Sequence, residues 1–161
     1  MIRFRTFRSS QWVPRPPAEV FAFFSDAHNL EEITPPWLRF RILTPGSIEM
    51  KQGTEIRYKL SLRGIPMHWT TQIRRWEPPL AFVDVQLSGP YRLWHHTHRF
   101  HAEDHGTRLT DVVRYSLPCG FCGNIIDRLQ TRKDVEKIFH YRFQCIEAKF
   151  GNGWTIRNTT G

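Results

Sequence analysis

Cysteine is scarce in this chain: three residues in 161 cannot build the disulfide framework of a small secreted domain. Two of them, Cys119 and Cys122, form a C-x-x-C in PCGFCG near the expected start of a helix. A helix N-terminus lowers a thiol pKa, so redox chemistry has to be considered. The thioredoxin type of motif follows a strand in a βαβ unit, however, and no such pattern is present. Zinc would need two further ligands, and Cys145 with a histidine has no recognisable spacing. Long apolar runs are missing too, since no window approaches the ~20 residues of a membrane span. The opening residues, MIRFRTFRS, alternate charge where a signal peptide would be uniformly apolar, so the expected location is the cytoplasm. There is no serine in a strand-to-helix elbow, no glycine-rich phosphate loop after a strand, and no repeat or low-complexity block. Nucleophilic hydrolysis and P-loop chemistry therefore find no support.

What the chain does have is aromatic residues and positive charge. Aromatics make up 14 % of the residues and the net charge is +8. The arginines and lysines are spread along the sequence instead of gathered in one run, which reads first as a solvated basic surface. Nucleic acid or an anionic membrane remain as partners suggested by charge alone. A chain of this length forms one domain with its own core.

Residues 2–13 alternate as a half-buried strand until Pro14, Pro16 and Pro17 stop it. Proline suits a first helical turn, and PAEVFAFFSD follows with Val20, Phe21 and Phe24 at helical spacing. A second short helix spans DAHNLEEI, closed by Thr34-Pro35-Pro36. Antiparallel strands are then expected at 37–43, 54–62, 65–77 and 81–87. Ile56, Tyr58, Leu60 and Leu62 share one face, as do Met67, Trp69, Thr71 and Ile73. For 81–87 both faces are plausible interiors, so Phe82, Asp84 and Gln86 compete with Val83, Val85 and Leu87. The end of the chain is helical, with Val135, Phe139, Phe143, Ile146 and Phe150 as one apolar stripe. Residues 1–151 form the domain, and 152–161 are expected to be a disordered tail.

The densest chemistry lies in residues 89–118, GPYRLWHHTHRFHAEDHGTRLTDVVRYSLP, which read as a hairpin turning at His105-Gly106. That turn sets Phe100 opposite Asp111, His98 opposite Val113, His96 opposite Tyr115 and Trp94 opposite Leu117. All of these share one face, where two histidines and an aspartate sit among aromatics. The other face, with His95, His101 and Arg114, is polar and suits solvent. A carboxylate beside an imidazole fixes its tautomer and raises its pKa, as an acid or base requires. Three readings of His96, His98 and Asp111 stay open: a hydrogen-bonded patch of the core, contacts to a ligand, or an acid–base pair using His98 and Asp111. A metal held by the two histidines and Asp111 is the weakest, and neither metal nor cofactor is expected.

The order of elements, with PAEVFAFFSDAHNLEEITPPW, the Gly64-Ile65-Pro66 followed by Trp69, WEPPLAFVDVQLSGPYRLWHHTHRF, TDVVRYSLP and DVEKIFHYRF, resembles the START-like helix-grip superfamily. This is the SRPBCC group of polyketide cyclase/dehydrase and lipid-transport-like proteins, and the likeness is to a bacterial branch across residues 2–151. The resemblance implies an α+β fold: a curved seven-stranded antiparallel sheet wrapped around a long C-terminal helix, with two short helices between the first two strands. It also implies an internal cavity under that helix, and favours Phe82, Asp84 and Gln86 as inward. The expected lining is then Trp69, Asp84, Gln86, Trp94, His96, His98, Phe100, Tyr115, Phe139 and Phe143. The expected partner is a small apolar or aromatic ligand and not nucleic acid; the alternative is a cyclase or dehydratase.

Overall fold

The computed structural model describes residues 4–117 and 125–151. The Cys119–Cys122 motif and the tail 152–161 lie outside them. Strand β1 (Arg5–Val13) runs into Pro14, Pro16 and Pro17, and helix α1 (Pro17–Phe24) starts on the last of these. Proline is well placed there because the first helical turn lacks partners for its N–H groups anyway. Helix α2 (Asn29–Glu32) follows, then β2 (Arg41–Ile42), β3 (Glu55–Leu62), β4 (Ile65–Glu77), β5 (Ala81–Ser88), β6 (Leu93–Glu103) and β7 (Gly106–Ser116). The 26-residue helix α3 (Ile125–Phe150) ends the fold, so the apolar positions from Ile125 onward belong to one continuous helix. All seven strands form one antiparallel sheet in the order β1-β7-β6-β5-β4-β3-β2. This is the expected helix-grip architecture. No described helix is long and apolar enough to cross a membrane.

Two expectations are corrected. The strand expected at 37–43 is mostly not one. Pro36–Leu38 form a 3-10 turn that Arg39 ends in the left-handed region (φ 46°), which leaves Arg41 and Ile42 to pair with β3. The prolines before it impose a turn that alternation alone does not reveal. The second correction concerns the β6–β7 hairpin, which turns at Asp104 and His105, with φ of 48° and 59°, and not at His105-Gly106. Both central residues of such a turn need positive φ, and aspartate tolerates it. Phe100 therefore faces Leu109, His98 faces Asp111, His96 faces Val113 and Trp94 faces Tyr115. The shift is two residues, so every side chain keeps its expected face. Gly106 serves a different purpose: a Cβ there would collide with the Val13 carbonyl oxygen and come within 2.8 Å of the Trp12 ring.

The core has three parts. Phe21, Phe24, Phe82 and Phe100 pack beneath α1, reaching Ile146 and Phe150 at the end of α3. Tyr58, Leu60 and Trp69 form a second group on β3 and β4. Val113, Tyr115, Val135 and Phe139 join the sheet to the middle of α3. Polar ties fix the helix: Gln11 Nε2 donates to the Phe143 carbonyl at 3.0 Å, and Arg63 pairs with Asp134 at 2.8 Å. Among the described side chains of α3, those of Thr131, Val135, Phe139, Arg142, Ile146 and Phe150 are buried. Arg142 thus occupies the inward position that the apolar stripe assigns to Phe143, which is half-buried.

Gly106→Ala is expected to destabilise the protein by about 1–3 kcal/mol through overpacking against β1, read from chemical denaturation. His105→Gly, which relieves a left-handed residue, is expected to be neutral or stabilising by up to about 1 kcal/mol. Loss of stability from His105→Gly would refute the turn as drawn.

Candidate functional site

Three neighbouring strands bring four ionisable side chains together on the face beneath α3. Phe82 points inward on β5, and Asp84 follows it two residues on. His96 and His98 stand two apart on β6, and Asp111 lies on β7 directly across from His98. Asp84 pairs across the sheet with His96. His96, His98 and Asp111 are 4–5 % exposed. The two imidazoles lie against each other, with centroids 3.7 Å apart and planes tilted by 38°. Their walls are aromatic: Phe82 stacks on His98 at 4.0 Å, and Phe139 of α3 meets His96 edge-on at 5.5 Å.

The hydrogen bonds run crosswise. His96 Nε2 is 2.8 Å from Asp111 Oδ1, and His98 Nε2 is 2.8 Å from Asp84 Oδ2. His98 Nδ1 also lies 2.9 Å from Asp111 Oδ1, an ion-pair distance outside hydrogen-bond geometry. His98 thus sits between two carboxylates. Burial opposes its charge, but contacts with Asp111 and Asp84 outweigh burial and raise its pKa. For His96, burial and the neighbouring His98 prevail, and its pKa falls to about 4. Burial would raise both carboxylates, yet the imidazoles hold Asp84 and Asp111 below the usual carboxylate range. His98 is therefore the charged ring. His96 is neutral, with its Nε2 proton donated to Asp111 and its Nδ1 lone pair 3.7 Å from Asp84 Oδ2.

Arg142 completes the charge balance. It is 9 % exposed, its guanidinium lies over the Phe139 ring at 5.1 Å, and its charge helps to lower Asp84. Two carboxylates are thereby set against one imidazolium and one guanidinium. A reading of the helix for apolar residues alone passes over Arg142. Its position three after Phe139 and four before Ile146, within the stripe, is the signal the sequence offers.

The other expected lining residues divide by environment. Trp69 is buried and stacks on Tyr58 at 5.9 Å. Trp94 is half-buried, 5.3 Å from Trp69 and 6.1 Å from Tyr115. Tyr115 and Phe139 are buried in the group beneath α3. Phe100 packs with Phe21 and Phe24, away from the imidazoles' helix side. Gln86 has its amide committed to the backbone of Tyr91, donating to the carbonyl at 2.6 Å, so it braces the β5–β6 loop. Ligand atoms of Asp84, His96 and His98 lie within 4.8 Å of one another, so these three are the residues that could hold a cation. Two surface depressions lie elsewhere. One, of about 460 Å³, lies between Pro16 and the Asp104–His105 turn; the other, of about 430 Å³, lies on the outer side of α3 beside Trp37.

The network makes stability pH-dependent with a definite sign. Below the unfolded histidine pKa near 6.5, the unfolded chain protonates His96 and the folded chain does not until about pH 4. Stability is expected to fall across that window as pH drops, by up to ~1.4 kcal/mol per unit. His98 has the opposite sign: its contribution is full below about 6.5 and lost as pH rises through its raised folded value. Histidine NMR titration should show His96 titrating near 4 and His98 above 6.5; identical midpoints would refute the assignment. His98→Ala leaves the buried Asp111 and the partly buried Asp84 without the cation between them and should cost about 3–5 kcal/mol, measured by denaturation.

Similar folds are known. The Zhui aromatase/cyclase from Streptomyces sp. R1128 superposes with a TM-score of 0.71 at 18 % identity, over 91 % of this chain and 93 % of that one. The protein TTHA0849 from Thermus thermophilus gives 0.64 at 19 % identity, over 90 % and 99 %. Ara h 8.0201 gives 0.60 at 14 % identity, over 91 % and 99 %. At these identities the likeness establishes the fold alone. No curated protein matches the sequence. A family model, polyketide cyclase / dehydrase and lipid transport, matches residues 13–139, and with most of the chain inside that match the protein belongs to this family.

Proposed function

We propose that this protein binds a small apolar or aromatic molecule between the sheet and α3. The observation that carries the reading is the composition of the inward face. Phe24, Phe82 and Phe139 contact the imidazoles of a charge network that a core needs only at a cost, and the aromatic groups with Trp69, Trp94 and Tyr115 are buried or half-buried in the same core. Buried ion pairs seldom stabilise a fold relative to apolar packing, so their presence asks for another purpose. Apolar walls with a few convergent polar groups are the general make-up of a small-molecule site. The family description, which joins cyclases, dehydrases and lipid transport, supports the same class of ligand. Here Asp84, His96, His98 and Asp111 orient the ligand, and the aromatic rings supply contact area. Phe100 and Gln86 serve the frame in this reading, while Phe143 borders the site from α3.

A specific observation favours a second reading, a cyclase or dehydratase. Two adjacent imidazoles are driven to opposite protonation states, His96 as a free base and His98 as an acid. Titratable neighbours pushed apart in this way are the usual arrangement for proton transfer beside a carbonyl. His98 would act with Asp111 holding its ring, and the presence of an aromatase/cyclase among the structural neighbours points the same way. Nucleic acid is not part of either reading, since the basic residues form no continuous patch in sequence.

Native mass spectrometry of the purified protein is expected to show a retained small molecule, or uptake of a neutral naphthalene derivative at micromolar to millimolar concentration. Trp94→Ala should weaken that uptake about tenfold or more. A bare mass together with no uptake of neutral aromatics would end the binding reading. Turnover abolished by His98→Ala with ligand affinity kept would select the enzyme.

A further inference from the structure

The polar groups beneath α3 are unequally satisfied. Asp84 and Asp111, the carboxylates there, have their donors in His98 and His96. Donors, by contrast, are left over. Arg142 is 9 % exposed, yet its Nε and Nη1 have no hydrogen-bond partner, and no ion pair to it is formed among the described residues. Trp69 is 6 % exposed and its Nε1 is likewise unpartnered. Tyr58 links the two, for its ring stacks on Trp69 at 5.9 Å and its phenol lies within electrostatic reach of Arg142.

A buried guanidinium with two idle nitrogens is expensive, because each unpaired buried donor carries its desolvation cost. Phe139 lies under the fork at 5.1 Å, and Nε and Nη1 are themselves closed off from solvent, so an acceptor reaches them only when a neighbouring side chain moves aside. What is missing is an acceptor. Its charge follows from the neighbours. Asp84 and Asp111 share the one imidazolium of His98, and Arg142 lies close enough to lower Asp84 further without pairing with it. An anion at Arg142 would add an unmatched negative charge near Asp84; a neutral oxygen would not.

We propose that Arg142 is the polar anchor of the interior ligand, its Nε and Nη1 donating to an uncharged carbonyl oxygen. This rests on the binding reading above and deepens it, restricting the ligand to neutral molecules with an apolar or aromatic body and a carbonyl. Hydrocarbons fail to use the donors, and carboxylates upset the charge balance.

Three probes with one ring system test this: 2-acetylnaphthalene, 2-ethylnaphthalene and 2-naphthoate, each titrated by ligand-detected NMR. The ketone is expected to bind roughly tenfold tighter than the ethyl compound, the difference one good hydrogen bond makes. The naphthoate should bind more weakly than the ketone. Arg142→Met should remove the preference for the ketone over ethylnaphthalene. If that variant does not fold, Arg142→Lys, which keeps the charge without the fork, should reduce the preference. Equal affinity of ketone and ethyl compound in the wild type overturns the anchor while leaving the binding reading intact. So does tightest binding by naphthoate, or a preference that survives the variant. Failure of all three to bind overturns the binding reading itself.

Discussion

Two carboxylates held close together beneath a helix, one buried and one partly so, can persist only if something positive lies between them. In this protein that is His98, with Asp84 on one neighbouring strand and Asp111 on the other. Each side chain comes from a different strand, so the pairing ties the centre of the sheet, β5, β6 and β7, into one electrostatic unit. The cross-strand register is consequently not free: a slip of β6 by one residue would send both imidazoles to the other face and leave Asp84 and Asp111 without them. Aromatic rings then exclude water from the unit, which strengthens every interaction within it and makes any unpaired member more costly.

The architecture is readable from the chain because its determinants are local. Prolines before α1, alternation in β3 and β4, and the apolar spacing of α3 each act within a few residues. The face on which His96, His98 and Asp111 meet is readable as well, since strand parity survives an error of two residues. The turn itself is not, because Gly106 invites a positive φ, whereas its lack of a side chain answers the close approach of β1. Tertiary contact, which a single sequence does not display, selects Asp104 and His105 instead. The strand expected from Trp37 fails for a related reason. Its alternation is genuine, but Pro35, Pro36 and Arg39 turn the backbone before it can pair.

Asp84 and Arg142 show a different limit. Periodicity cannot choose between the two faces of β5, because both carry apolar residues; resemblance favours the face that the fold adopts. Arg142 is invisible to a search for apolar residues, although its spacing places it within the stripe. Charged residues at inward positions carry more information about a site than apolar ones do, because packing alone gives no reason for them. Reading a helix for the residues that break its stripe finds Arg142, and with it the second positive charge of the network.

The fold therefore accounts for position, and the charges account for whatever selectivity the protein has. Sheets gripping a helix occur in binders and enzymes alike, so the scaffold by itself assigns no chemistry. The distinction lies in what the buried polar groups do when no ligand is present. In a purely structural network every donor and acceptor closes on a partner, and the acid–base states serve only to minimise buried charge. Here the acceptors Asp84 and Asp111 are closed while Arg142 and Trp69 keep open donors. That imbalance has a direction: it asks for oxygen lone pairs and asks for no further charge. A site built this way discriminates by the chemistry of one atom within an otherwise apolar body.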